Sequence, residues 1–256
     1  MDCERRSDPA ASSRIDQAII EAFIEDQNGW ETPYKDKLLK QAMSDPEPRI
    51  RYAAAYLLGL RGDMSAIDGL SEAVMSSSMT WKQRAVKALA SLKDERCAPP
   101  LIQLLIEDRG ELHREAGRAL HSLGARARSA WESVLDHPDS HIRWHAARGL
   151  GEMGISSLAL PLAEGLLDDD YVVRWATADV LARLGEAGIP ATLTMLSRHP
   201  LTERFRRAAY HALHGVSSTR GQKRIKPLLE AMRGPAASIE TASIAQQLLM
   251  EWTEEK

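Results

Sequence analysis

Cysteine is almost absent from this chain, whose 256 residues include only Cys3 and Cys97. Two thiols cannot build a disulfide framework, so the expected compartment is a reducing cytoplasm. An excess of charge of one sign is lacking as well. Lys and Arg total 33 against 36 Asp and Glu, a formal net charge of -3, which argues against a wholly basic nucleic-acid module. No stretch approaches the ~20 consecutive apolar residues that a membrane-spanning helix needs, so no membrane association is expected. The opening Met1-Asp2-Cys3-Glu4-Arg5-Arg6 has no apolar segment of the secretory-signal kind. Alternating β-branched runs are missing too, so strands are not expected. Disorder of the whole chain is excluded in turn, because 44% of the residues are hydrophobic.

What is present is repetition. Six segments share one pattern: Ile50-Arg51-Tyr52-Ala53-Ala54, Trp81-Lys82-Gln83-Arg84-Ala85, Leu112-His113-Arg114-Glu115-Ala116, Ile142-Arg143-Trp144-His145-Ala146, Val173-Arg174-Trp175-Ala176-Thr177 and Phe205-Arg206-Arg207-Ala208-Ala209. Their starts are 31, 31, 30, 31 and 32 residues apart, and each is followed eight residues on by a leucine: Leu58, Leu89, Leu120, Leu150, Leu181 and Leu213. Apolar residues at i, i+4 and i+8 are a helical period, and the small Ala or Gly positions allow neighbouring helices to approach closely. Shorter amphipathic stretches lie between, such as Pro99-Pro100-Leu101-Ile102-Gln103-Leu104-Leu105 and Ile225-Lys226-Pro227-Leu228-Leu229. Turn chemistry separates them, as in Arg61-Gly62-Asp63 and His137-Pro138-Asp139-Ser140.

A supersecondary unit repeated at this period is expected to stack on its neighbours. The predicted fold is all-α, an α-solenoid wound as a right-handed superhelix of about seven helix pairs. Residues 1–12 are expected to be disordered and 13–256 to form a single repeat domain. Within it, 13–32 is read as an N-terminal cap helix, 33–224 as six repeats and 225–256 as a degenerate capping pair.

The pattern V-R-x-x-A-A-x-x-L-x-x-L-G, following a P-L-x-x-L-L helix, resembles HEAT-like repeats of the phycobilisome-lyase type over residues 33–232. The departures are His113 and Lys82 in place of the arginine, and Lys93 in place of the closing glycine. The resemblance implies that the arginine-bearing helices line a concave inner face. It does not select one function, because lyases, hydroxylases, scaffolds and adaptors share these repeats. The arginine position itself is read as structural. An acid stands six residues earlier at Asp45, Glu107 and Asp168, and such a pair is expected to bridge the turn and tie adjacent repeats.

Several chemical patterns fail on context. Gly149-Leu150-Gly151-Glu152-Met153-Gly154 has the spacing of a dinucleotide loop, but it ends a helix where a phosphate cradle needs a strand before it and a helix starting at it. His137, His141 and His145 are four residues apart, yet Pro138 interrupts the helix and no further ligand pair accompanies them, so no metal site is expected. The di-iron hydroxylases of the resembling family carry His-Glu pairs after the arginine position, and none of the six repeats does. Cys97 lacks a recognisable base, and nothing near His211 and His214 marks a nucleophile. Neither enzymatic activity nor a cofactor is therefore expected.

The positions that should project into the groove are Tyr52, Tyr56, Arg84, Lys87, Arg114, Arg118, Trp144, Arg148, Trp175, Asp179, Arg207 and His211. Aromatics and arginines dominate interface hot spots, which makes this a candidate surface for a protein or peptide partner. Trp144 and Trp175 are the leading anchors, the alternative being that both rings pack into the core. Trp175 and Asp179 also stand at i, i+4, which in type resembles the aromatic-plus-carboxylate arrangement of HEAT-like alkylpurine DNA glycosylases. Between Arg198 and Arg233 there are nine Lys or Arg against two Asp or Glu, while residues 1–36 hold nine acids and four bases. Nucleic-acid binding is accordingly a second reading, and bilin-lyase-like assistance a third.

Overall fold

The computed structural model describes Ile19 and residues 33–254. Ile19 is helical and fully buried. The expectations for residues 1–12, and for the rest of a cap helix over 13–32, lie outside the described residues. Among the described residues there are helices and turns and no strand.

Contacts group the chain into two compact units, Met1–Ala127 and Arg128–Lys256. The first contains α1 (Pro33–Ala42), α2 (Pro48–Leu60), α3 (Ile67–Val74), α4 (Met79–Leu92), α5 (Ala98–Glu107) and α6 (Glu111–Leu123). Here α2, α4 and α6 pack side by side, and α3 and α5 pair with them. The second contains α7 (Arg128–Glu132), α8 (Ser140–Glu152), α9 (Ala159–Ala163), α10 (Tyr171–Arg183), α11 (Gly188–Arg198), α12 (Glu203–His214), α13 (Thr219–Arg233) and α14 (Ala237–Glu254). Its layer of α8, α10 and α12 is continuous, and α14 packs against both α11 and α13. Because α13 begins at Thr219, a repeat boundary drawn at residue 224 falls inside a helix.

The i, i+4, i+8 residues form the cores, as Leu112, Ala116 and Leu120 do in α6 and Ile142, Ala146 and Leu150 in α8. The glycine-rich segment at the end of α8 is explained by packing and by one turn. A Cβ on Gly149 would sit 2.5 Å from the Trp131 ring, and one on Gly151 would sit 2.3 Å from Val180. Gly154 then takes φ +64°, the left-handed turn that L side chains rarely adopt. None of the three glycines is placed to cradle a phosphate.

The arginine position ties the stack, through partners other than the expected ones. Arg143 donates to the backbone carbonyls of His137 (2.8 Å) and Pro138 (2.9 Å), capping the preceding turn. Its remaining nitrogens form a bidentate pair with the Asp168 carboxylate at 2.7 and 2.8 Å, in the next repeat. Arg174 donates to the Asp168 backbone oxygen at 2.6 Å. Arg51 repeats the arrangement with the carbonyls of Asp45 and Pro46 and the carboxylate of Glu72. The group six residues back is thus met at its backbone oxygen, and the carboxylate comes from the following repeat, from the helix α3 for Glu72 and from the turn before α10 for Asp168. At the same position in α6, His113 caps the preceding turn, its Nδ1 donating to the oxygens of Leu105 (2.7 Å) and Asp108 (3.0 Å).

Candidate functional site

The first unit holds six of the residues expected in the groove, of which Lys87 is exposed on α4. Tyr52 and Tyr56 do not project into solvent; both are buried. The Tyr52 ring stands edge-on to Trp81 at 5.7 Å, and the Arg84 guanidinium lies 5.4 Å from the Tyr56 ring centre. Arg84 is half-buried there, whereas Arg114 and Arg118 are exposed along α6. The tyrosines were misplaced because the position after the arginine faces the neighbouring helix pair as much as solvent, and a large ring removes more apolar area from water by packing inward. Cys97 is fully buried, and burial pushes its thiol pKa up, the opposite of an activated nucleophile.

The second unit brings the remaining candidates together. Asp139 caps α8 by accepting from the His141 amide at 2.9 Å, Asp170 caps α10 through Val172 and Val173, and Thr202 caps α12 through Phe205. These caps, with Val173 and Phe205 buried beneath, fix the rotation of each helix about its axis, so residues one turn further on share an outer face. His137 lies in the turn, where its Nδ1 accepts from the Asp139 amide at 3.1 Å, apart from the α8 helix that carries His141 and His145.

On that face Trp175 is 39% exposed and Tyr171, one turn before it, 62%. The Trp175 ring stacks on the His211 imidazole of the next repeat with centroids 4.0 Å apart and planes 23° apart. The His211 Nε2 donates to the Asp179 carboxylate at 2.6 Å, so Asp179 sets the imidazole orientation that supports the indole. Trp175, Asp179 and His211 therefore act as one assembly, and the carboxylate beside the tryptophan is already engaged. Trp144 is half-buried, stacked with His141 at 5.7 Å and 8°, while Arg148 lies 5.4 Å from its ring centre and pairs with Glu152 at 3.2 Å.

Two clefts flank Trp175. One, of about 360 Å³, is lined by Trp144, Arg148, Tyr171, Trp175 and Asp179 among others. The other, of about 640 Å³, brings Arg206, Arg207, Tyr210, His214 and Arg233 to Trp175 and His211. Arg206 is held by the Met232 carbonyl at 2.6 Å and by Glu203, which also pairs with Arg207 at 2.7 Å. The two guanidiniums hold the Glu203 carboxyl below its ordinary pKa. Sequence reasoning had not placed Tyr171, Tyr210, His214 or Arg233 at the site. The first three stand one helical turn from Trp175, Arg206 or Arg207, and His211 or Tyr210, so the 3.6-residue period could have found them. Arg233 joins only because α13 packs on α12.

The repeated helix pairs define the class: an all-α repeat protein with α-solenoid architecture. The profile of HEAT repeats matches residues 36–121 and 98–182, together more than half of the chain, which therefore belongs to the HEAT-repeat family. No curated protein matches it. Among solved structures it is similar to the complex of CpcE and CpcF of phycocyanin lyase from Nostoc sp. PCC7120, at 21% identity over 89% of this chain and 91% of that one, with a TM-score of 0.35. Human deoxyhypusine hydroxylase in complex with glycerol is 18% identical over 97% of this chain and 100% of that one, with a TM-score of 0.35. A designed armadillo repeat protein is 15% identical over 84% of this chain and 98% of that one, with a TM-score of 0.32. Among the described residues, no helix is long and apolar enough to cross a membrane.

Proposed function

We propose that this chain is a non-catalytic scaffold that binds a protein or peptide partner along the face carrying Trp144, Trp175, Arg207 and His211. The observation that carries this reading is the supported but exposed indole of Trp175. Leaving a large aromatic in water forgoes the burial energy that packing it away would give. Its orientation is set beforehand by His211 and Asp179, so a partner that covers it meets little ordering cost. Aromatic side chains beside arginines are the composition of interface hot spots.

The test is capture of a partner from source-organism lysate on wild-type protein and on the Trp144→Ala/Trp175→Ala double variant. The partner should be retained at high salt by the wild type. The double variant should lose at least ~2 kcal/mol of binding, as hot-spot truncations do, with its circular dichroism unchanged. An unfolded variant assigns both rings to the core and ends the proposal. The basic stretch from Arg198 to Arg233 favours one other reading, a nucleic-acid partner. That reading predicts nucleic acid recovered at low salt and released steeply as salt rises.

A further inference from the structure

Resting on the reading of this face as a peptide groove, we infer that the segment it takes is anionic at one end. Its acidic groups would lie in the cleft between α12 and the end of α13, next to an aromatic or large aliphatic side chain packed on Trp175. The larger cleft is lined by three arginines and two histidines, and no Asp or Glu is among its lining residues. Two acids pair with its lining residues. Glu203 offers one negative charge to Arg206 and Arg207 together, and Asp179 is held by His211. Arg233 adds a third guanidinium at the exposed end of α13. Two carboxylates against three guanidiniums still leave the cleft positive, and a recess concentrates that potential.

The geometry also selects the kind of anion site. Arg206 is anchored on the Met232 carbonyl, so its role is to fix the wall. Arg207 and Arg233 are exposed, and planar guanidiniums match carboxylates and phosphates bidentately. The neighbouring smaller cleft differs, since Glu152 and Asp179 accompany Arg148 and Arg183 there. The charge preference is therefore confined to one end of the face, and it gives a bound segment a direction: acidic end at α12 and α13, neutral or mixed end toward α8.

Fluorescence anisotropy on the full-length protein tests this with short labelled peptides that carry a phenylalanine beside glutamates, beside glutamines or beside phosphoserines. The glutamate and phosphoserine peptides should bind at least about tenfold tighter than the glutamine peptide, with the advantage shrinking as salt rises. The segment proposed carries carboxylates, so the glutamate peptide should bind at least as tightly as the phosphoserine one, and a clear phosphoserine preference overturns that assignment. The advantage should vanish in the Arg207→Gln/Arg233→Gln variant, whose exposed substitutions leave the helices intact by circular dichroism. A charge preference that survives in that variant overturns the inference, as does a single-stranded oligonucleotide that outcompetes the acidic peptide. A glutamine peptide bound equally well, and lost with Trp175→Ala, also overturns it while leaving the scaffold reading standing. Failure of every peptide, together with capture that ignores Trp144 and Trp175, ends both.

Discussion

Lys93 shows how a single residue departs from its repeat and what that does. Glycine takes the left-handed turn after the repeat helix at Gly62, Gly154 and Gly185, and Lys93 takes it at φ +53°. It is the one non-glycine residue with positive φ among the described residues. Its Nζ donates to the Ser122 carbonyl at 2.5 Å, a partial return for the strained backbone. The left-handed conformation costs a side-chain-bearing residue about 1–2 kcal/mol. Lys93→Gly should therefore raise the unfolding free energy in urea by roughly 0.5–1 kcal/mol, once the greater unfolded-state freedom of glycine is subtracted. A loss of stability would show that the Ser122 contact outweighs the strain. This site was legible in the sequence, because the closing glycine recurs in register and lysine interrupts it. The burial of Tyr52 and Tyr56 was not, since a period of 3.6 says which way a side chain points and not which neighbour covers it.

Between elements, Arg51 and Arg143 each meet two backbone carbonyls and a carboxylate from the following repeat. Arg143 and Asp168 are both largely shielded, their side chains 17% and 9% exposed. The Asp168 carboxylate, first through its hydrogen bonds, holds the guanidinium pKa above its ordinary value, with the charges of Asp170 and Asp139 adding to it. Arg143→Met keeps the aliphatic stem but strands Asp168 and frees two carbonyls, and it should cost about 3 kcal/mol in urea unfolding. Adding Asp168→Asn should recover part of that, because the stranded charge is then gone. A loss below about 1 kcal/mol would make the pair no more than a surface ion pair. The arginine and the acid were both visible in the sequence, but their pairing was not. Asp168 stands six residues before Arg174 and 25 after Arg143, and only the stacking of α10 on α8 brings its carboxylate to Arg143.

For the whole molecule, the ion pairs predict a stability that falls at acid pH. Asp63 is held below its ordinary pKa by Lys40, Glu72 by Arg51, Asp94 by Arg96, and Glu203 by Arg206 and Arg207. A carboxyl group with a lowered folded-state pKa contributes stability that is fully present above its ordinary value and is lost as pH falls through the folded value. Those ordinary values are 3.8 for Asp and 4.5 for Glu. The urea midpoint should therefore show no contribution from these groups to its pH dependence near neutrality and should fall as pH drops below about 4. A midpoint that rises on acidification would show that carboxylate repulsion dominates over these pairs.

The sequence by itself determined the class of fold, because a helical period repeated about every 31 residues leaves each pair with an apolar face that only another pair can cover. It also excluded the dinucleotide loop, whose glycines needed a strand that the repeat register does not supply. Tertiary structure decided the site. Trp175 and His211 are 36 positions apart, Asp179 and His211 are 32 apart, and Arg233 comes from another helix altogether. Local periodicity orients a side chain about its own helix axis. Which rings stack, which carboxylate is engaged and which guanidiniums stay exposed depend on how α10, α12 and α13 settle against one another, and that is a property of packing.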